Sequence, residues 1–359
     1  MTSPYAIGLS HFAPFGSRTY PRLFEALGTY EAIWSASYDQ LRALEISEQT
    51  ATKFVDYRRQ VDLQKLINDV SALGIDTIDR DDTRYPESLK TLHDAPILLY
   101  VRGQLPRSEK VVVGVVGSRE ASAYGIQVAN DFAKGLGKAG VVVASGLARG
   151  IDVSAHEGAL DAGGQTIAVL AHGLEQLGGT QKILADRIVA QGGAVISEQP
   201  PHLRPEKFHF PIRNRIIAGL SRGVLIVEAA LPSGTLITAK AALDNSRDVF
   251  AIPGPLTSVT SLGANKLIQD GAHLAMSAND ILSMYGFKVP VNERVLDAEP
   301  DVDLSPEQTL ILSHLSASPT HVDDLCRATE LSSSIVLGTL TILEIHGKVR
   351  PLGNMYYSL

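Results

Sequence analysis

The sequence predicts an α/β protein: a doubly wound, extended Rossmann-like parallel sheet, with a helical segment before it and a winged helix after it. Three observations predict this. Six near-continuous runs of β-branched and other apolar residues recur between residues 111 and 252, with helical stretches between them. Residues 1–85 read instead as short helices broken by tight turns, and residues 304–359 as three helices and a hairpin.

In the first segment the expected helices are Tyr20–Leu27, Tyr30–Ser35, Tyr38–Leu44, Ser47–Arg59 and Val61–Leu73, with Ser37 and Ser47 as N-caps. Such a set suits a SAM or helix-hairpin-helix-like domain. In the middle segment, residues 86–287, the expected strands are Val111–Val116, Val141–Ala144, Thr166–Leu170, Ala194–Ser197, Val224–Glu228 and Val249–Ile252. Runs without polar alternation suit strands covered on both faces, and intervening helices supply right-handed crossovers. Residues 288–303 are polar, Pro-containing and aperiodic, as a linker would be. Ser305-Pro306 then opens a helix to Leu315, followed by Val322–Thr329 and Ser332–His346. Gly353-Asn354 between apolar residues predicts the hairpin wing.

Composition narrows the setting. With 359 residues the chain suits two or three domains, and 45% hydrophobic with 20% charged residues is ordinary for a globular protein. No apolar run approaches membrane-spanning length, and MTSPYAIGLSHF has no signal-peptide character, so a cytoplasmic protein away from membranes is expected. Cys326, the single cysteine, rules out an intramolecular disulfide and reads as a small buried apolar side chain. Net charge is −7, yet it is unevenly spread: residues 1–87 hold 9 basic and 13 acidic side chains, and 288–359 hold 5 and 10. The middle is therefore slightly basic, and 204–222 concentrates Arg204, Lys207, Arg213, Arg215 and Arg222 against Glu206.

The chemistry is expected beyond the carboxyl ends of the parallel strands. Gly117-Ser118-Arg119 follows the first strand, Ser145-Gly146 with Arg149 the second, and Ser233-Gly234-Thr235 follows Val224–Glu228 and opens a helix. Glycine admits close backbone approach, and hydroxyls beside free amides at a helix start cradle anions. One such loop is no more than a βα turn; three on one edge, with Arg119 and Arg149, suit a ligand with several phosphates. In KFHFPIRNRIIAGLSR (207–222), Pro211 is expected at the first helical position, with Ile212, Ile216, Ile217 and Leu220 as the buried stripe. Arg213 and Arg215 would then lie in the first turn, where the helix dipole disfavours cations by about 0.3–1 kcal/mol each. Phe208 and Phe210, on an extended approach beside Lys207, would offer stacking faces for unpaired bases, with at least one of them in the core. Asn214 could bond a base edge or cap locally.

Enzyme signatures are poor, and no catalytic residue, cofactor or metal is expected. No G-x-G-x-x-G follows the first strand, and Gly137-Lys138 lacks the flanking residues of a Walker loop. Asp152, Glu198 and Glu228 read as groups that orient arginines and amides.

Taken together, VGSREASAYG (116–125), SGLARGID (145–152), GGQTIAVLAHGL (163–174), FPIRNRIIAGLS (210–221), VEAALPSGTLITA (227–239), RDVFAIPG (247–254) and GANKLIQDGA (263–272) resemble the DNA-processing A (DprA, or Smf) family. The resemblance covers nearly the whole chain and departs at Ala171 and His172, where the family pattern has glycine and often cysteine. It implies binding of single-stranded DNA without sequence preference, a homodimer, and delivery of the RecA recombinase onto strands coated by single-strand-binding protein in natural transformation. It further implies that Ser118 and Arg119, Lys207 with Phe208 or Phe210, and Arg213 and Arg215 meet DNA, and that Leu267 and Ile268 serve dimer and RecA contact. The expected recognition helix of the winged helix (332–346) carries Glu344 and no Lys or Arg, so that domain is expected to contact protein, with Lys348 and Arg350 of the wing as the contrary hint. Two rivals remain: a nucleotide phosphoribohydrolase, whose loop glutamate is replaced here by Thr238, and a winged-helix transcription factor with an α/β sensor domain.

Overall fold

A computed structural model describes residues 2–288, 304–316, 320–345, 348–353 and 355–358. The chain forms two compact units, Met1–Val289 and Pro290–Leu359. The expected linker lies, apart from Lys288, outside the described residues, as do His346 and Asn354.

The first unit is built on one nine-stranded sheet. Its strands are β1 (Asp76–Asp79), β2 (Leu98–Gly103), β3 (Val112–Val116), β4 (Val142–Ser145), β5 (Thr166–Leu170), β6 (Ala194–Ser197), β7 (Gly223–Ile226), β8 (Asp248–Ala251) and β9 (His273–Leu274). They lie in the order β1-β2-β6-β5-β4-β3-β7-β8-β9. β3 to β9 run parallel; β2 pairs antiparallel with both β6 and β1. All six expected strands are therefore present to within two residues at either end, in a mixed sheet that is mostly parallel. The three added strands carried little signal: DTID is short and polar, His273–Leu274 has two residues, and β2 stands outside the strand–helix alternation.

Helices cover both faces. Before the sheet come α1 (Pro4–Ser10), α2 (Thr19–Leu27), α3 (Tyr30–Ser35), α4 (Tyr38–Ala43), α5 (Glu48–Gln60) and α6 (Leu63–Ala72). Within it lie α7 (Glu87–Lys90), α8 (Ala123–Lys138), α9 (Ile151–Asp161), α10 (Gly179–Ala190), α11 (His209–Leu220), α12 (Gly234–Asp244), α13 (Leu262–Gln269) and α14 (Ala278–Met284). Side-chain alternation along β3 shows the sandwich: Val112 and Val116 face the layer of α7, α11 and α12, whereas Val113 and Val115 face that of α8, α9 and α14. The amino-terminal helices continue the second layer, sharing one apolar cluster with α10 and with Tyr100, Ala168 and Val195 of the sheet. Ser37 and Ser47 cap α4 and α5 through Gln40 and Thr50 amides. The sequence offered little sign of α1, because its Gly8 is a poor helix former; a Cβ there would collide with Trp34 and Leu63.

The second unit has α15 (Pro306–Ser313), β10 (Thr320–His321), α16 (Val322–Thr329), α17 (Ser333–Ile345), β11 (Arg350–Gly353) and β12 (Tyr356–Ser358). Ser305 and Gln308 form a capping box around the first turn, which Pro306 opens. The three-stranded order β10-β12-β11 and the three helices make a winged helix. Cys326 is partly buried against its core rather than fully enclosed. Among the described residues no helix is long and apolar enough to cross a membrane.

Candidate nucleic-acid interface

The strand order reverses at β3, which sends its successors β4, β5 and β6 one way while β7 and β8 go the other. Loops leaving the carboxyl ends of β3 and β7 must therefore part, and an open sheet has its crevice there. A groove of about 540 Å³ occupies this place. Gly117, Ser118, Arg119 and Glu120 form one wall; Pro232, Ser233, Gly234 and Thr235 form the other; Lys207, Phe210, Arg213 and Asn214 close it.

The Arg119 guanidinium lies 4.4 Å from the centroid of the Phe210 ring, the distance of a cation–π contact. Its backbone carbonyl accepts from Arg149 Nε at 3.3 Å, and Arg149 stands exposed with Glu120 at 3.6 Å. Glu228, buried at the end of β7, holds this loop in place: Ser122 N and Oγ donate to its carboxylate at 3.0 and 2.6 Å, and Thr260 Oγ1 at 3.1 Å. Gly125 is required beside it, since a Cβ would meet that carboxylate. Glu228→Gln replaces one of the two accepting oxygens by an NH2 group, so at least one of the three donors loses its acceptor. We expect it to cost about 1–3 kcal/mol in chemical denaturation, with Glu228→Asp costing less.

On the facing wall Ser233 caps α12, its Oγ accepting from Thr235 N at 3.1 Å. Asn214 lies inside α11 and caps no helix end: its Oδ1 accepts from Arg213 Nε at 3.1 Å and its Nδ2 reaches Gly234 O across the groove at 3.4 Å.

α11 differs from expectation. It begins at His209, so Pro211 stands third, where a proline still removes only an amide that the first turn leaves unbonded. Arg213 and Arg215 consequently fall in the second turn, out of reach of the expected dipole penalty, and both are buried. Ile212, expected in the buried stripe, is only half-buried. Phe208 and Phe210 do not lie on an extended strand with one facing. Phe208 is the exposed N-cap residue, its ring 4.1 Å from that of His209, and Phe210 is half-buried in the groove.

The two arginines have protein partners. Arg213 Nη1 donates to Gly146 O at 2.8 Å and also to Val169 O. Burial lowers its pKa to about 10, with Asp152 opposing the shift. Asp152 in turn accepts from Gly146 N and Ala148 N at 3.1 and 3.3 Å, and burial pushes its carboxyl above the usual range against the pull of Arg213. Gly146 is needed because a Cβ would strike the Arg213 guanidinium. Arg215 is held by Glu198 at 2.5 Å and Asp94 at 3.2 Å. Asp152, Glu198 and Glu228 thus orient arginines and amides, as expected of them.

The groove therefore unites Gly117, Ser118, Arg119, Lys207, Phe210, Arg213, Asn214, Ser233, Gly234 and Thr235. It does not take in Ser145, which is buried and donates to Val115 O at 2.6 Å, nor Gly146, Arg149, Phe208 or Arg215. Leu267 and Ile268 are half-buried on α13, against the α11–α12 side of the sheet. Sequence reading missed Asp94 and the apolar groove residues Pro232 and Ile237; Ile237 falls one helical turn beyond Gly234, a spacing that marks it in retrospect.

The model of the DNA recombination-mediator protein A family matches residues 76–286, more than half of the chain. The chain belongs to the DprA/Smf family. The family's DprA winged-helix model matches residues 297–355. Protein Smf of Escherichia coli is 39% identical over 290 residues, 79% of this chain and 77% of that protein. DNA processing protein DprA of Bacillus subtilis is 43% identical over 210 residues, 58% of this chain and 70% of that one. Among solved structures, DprA from Streptococcus pneumoniae superposes with a TM-score of 0.69 at 34% identity, covering 80% of this chain and 99% of that chain. DNA processing protein A from Helicobacter pylori, described for its unique single-stranded DNA binding mode, gives 0.52 at 28% identity over 59% of this chain and 95% of its own.

Proposed function

We propose that this DprA-family chain binds single-stranded DNA in the switch-point groove and mediates recombination by delivering a RecA-type recombinase to the bound strand. The observation that carries the binding is the stack of Arg119 on Phe210 beside Lys207. It sets a fixed cation and an aromatic face next to two glycine-rich loop walls, the combination that holds phosphates while bases stack. A duplex keeps its bases paired inside and offers no face to Phe210, so a single strand is preferred. Arg213 acts by positioning, tying α11 to the loop after β4; Arg215, outside the groove, stabilises the fold through Glu198 and Asp94.

Delivery of the recombinase is supported by membership of a recombination-mediator family. Self-association is proposed at α13, where Leu267 and Ile268 are half-buried and the preceding Leu256, Val259 and Leu262 are exposed. A dimer would hold two strand segments and gain avidity. The winged helix is proposed as a protein-contact module: α17 exposes Ile335 and Ile342 and carries no cation.

A fluorescent oligothymidine titrated at several salt concentrations tests the groove. Arg119→Ala is expected to weaken binding by about tenfold or more and to flatten the log–log salt slope by about 0.7, one phosphate contact on a single strand. Phe210→Ala should cost about 1–3 kcal/mol with the salt slope unchanged, since a stack carries no counterion. Equal affinity for duplex, or wild-type binding by Arg119→Ala, would sink the site; hydrolysis of nucleoside monophosphates by the protein would bring the phosphoribohydrolase reading forward.

A further inference from the structure

The opposite edge of the same sheet carries a second, larger cleft, of about 1100 Å³. It lies at the amino ends of β3, β7 and β8 and the carboxyl end of antiparallel β2, remote from the switch-point groove. Five cations line it: Arg84, Arg107, Lys110, Arg222 and Arg247. Three carboxylates also do, but Asp76 is committed to Arg84 and Glu87 to Lys90, which leaves Glu109. Among the described residues Arg107, Lys110 and Arg222 have no carboxylate partner.

Two of these cations are held in place without being neutralised. The Arg222 guanidinium sits 4.5 Å over the Tyr285 ring. Arg247 Nη2 donates to Ser88 O at 2.9 Å and Thr91 Oγ1 at 3.0 Å, while its Nε is buried with no partner. Between them the floor is apolar, made by Ile78, Val112 and Leu220. Like charges fixed together at a cleft raise the local potential and favour an anion. Small-ligand sites pair a mostly apolar wall with a few convergent polar groups in about 300–1,000 Å³.

We propose that this cleft binds a free nucleotide, its phosphates on the unpaired arginines and Lys110 and its base against the apolar floor. The site is separate from the strand-binding groove and stands whether or not that groove binds DNA.

Isothermal titration with ATP and with inorganic triphosphate tests it on four full-length proteins: wild type, Arg222→Ala, the Arg107→Ala/Lys110→Ala double variant and Arg119→Ala. Both cleft variants alter exposed side chains, and the double variant lies on a surface loop, so a folding failure in one leaves the other to report. We expect one ATP per chain, about tenfold weaker binding in each cleft variant, unchanged binding in Arg119→Ala, and triphosphate about tenfold weaker than ATP. Four outcomes overturn the assignment: no ATP binding up to about 1 mM; loss in Arg119→Ala with retention in the cleft variants; triphosphate binding as tightly as ATP; or displacement of ATP from the Arg119→Ala protein by oligothymidine. Oligothymidine affinity of the cleft variants, expected to match wild type, keeps the two sites' failures distinguishable.

Discussion

Arg215→Ala is expected to destabilise the sheet unit by about 3–5 kcal/mol, lowering its thermal midpoint by roughly 6–12 °C. Arg215 is buried, and its Nη2 lies 2.5 Å from Glu198 Oε2. Removing it leaves the Glu198 carboxylate, whose side chain is only 13% exposed, without its main cation, and a largely buried, uncompensated charge costs far more than the pair contributes. Burial already pushes the Glu198 carboxyl upward, and Arg215 is the main influence pulling it back. Without Arg215 the carboxyl takes up a proton more readily, so the loss should shrink in mildly acidic buffer. The Glu198→Ala/Arg215→Ala double variant should lose less than the sum of its parts by more than about 1 kcal/mol, the sign of a coupled pair. Arg215 does not line the groove, so oligothymidine affinity measured where the variant is folded should stay within about twofold of wild type, well under the 1.4 kcal/mol of a tenfold change. A large loss of affinity with intact stability would place Arg215 on the strand instead.

That contrast shows where sequence reasoning reaches its limit. The apolar runs located β3 to β8 because strands covered on both faces have no polar alternation to confuse them. They could not reveal β1 or β9, whose pairing comes from neighbours and not from their own residues. In the site, three glycine-rich loops were legible because backbone conformation and close approach restrict residue choice. Gly150 adopts φ +86°, and a Cβ there would strike Ser118 O. The arginines were harder. A cation in sequence looks the same whether it faces solvent or a carboxylate 17 residues away, as Arg215 faces Glu198. Distinguishing Arg119, stacked and open, from Arg213, buried against two carbonyls, needs the fold that brings Phe210 to one and Gly146 to the other.

Between pH 6.5 and about 3, acid is expected to destabilise the protein through His156 by up to about 1.4 kcal/mol per pH unit. His156 is fully buried on α9. Thr166 Oγ1 spends its proton on Val143 O at 2.6 Å and therefore accepts from His156 Nδ1, 2.7 Å away. That fixes the tautomer: Nδ1 carries the hydrogen, and Nε2 is a bare acceptor, buried without a partner. Protonating Nε2 would bury a cation, and Arg213 opposes it further, so the folded-state pKa drops from 6.5 to about 3. The folded pKa lies below the unfolded one, so the unfolded chain binds the extra proton throughout this window. Stability from this group is whole above pH 6.5 and is lost as pH falls toward 3. At pH 5.0 the loss from His156 should be about 2 kcal/mol. His156→Asn can keep the donor to Thr166 without the titrating nitrogen. Urea midpoints at pH 7.5 and 5.0 should therefore fall less for the variant than for wild type. An equal fall in both would mean that His156 is already charged, or reaches solvent, in the folded protein.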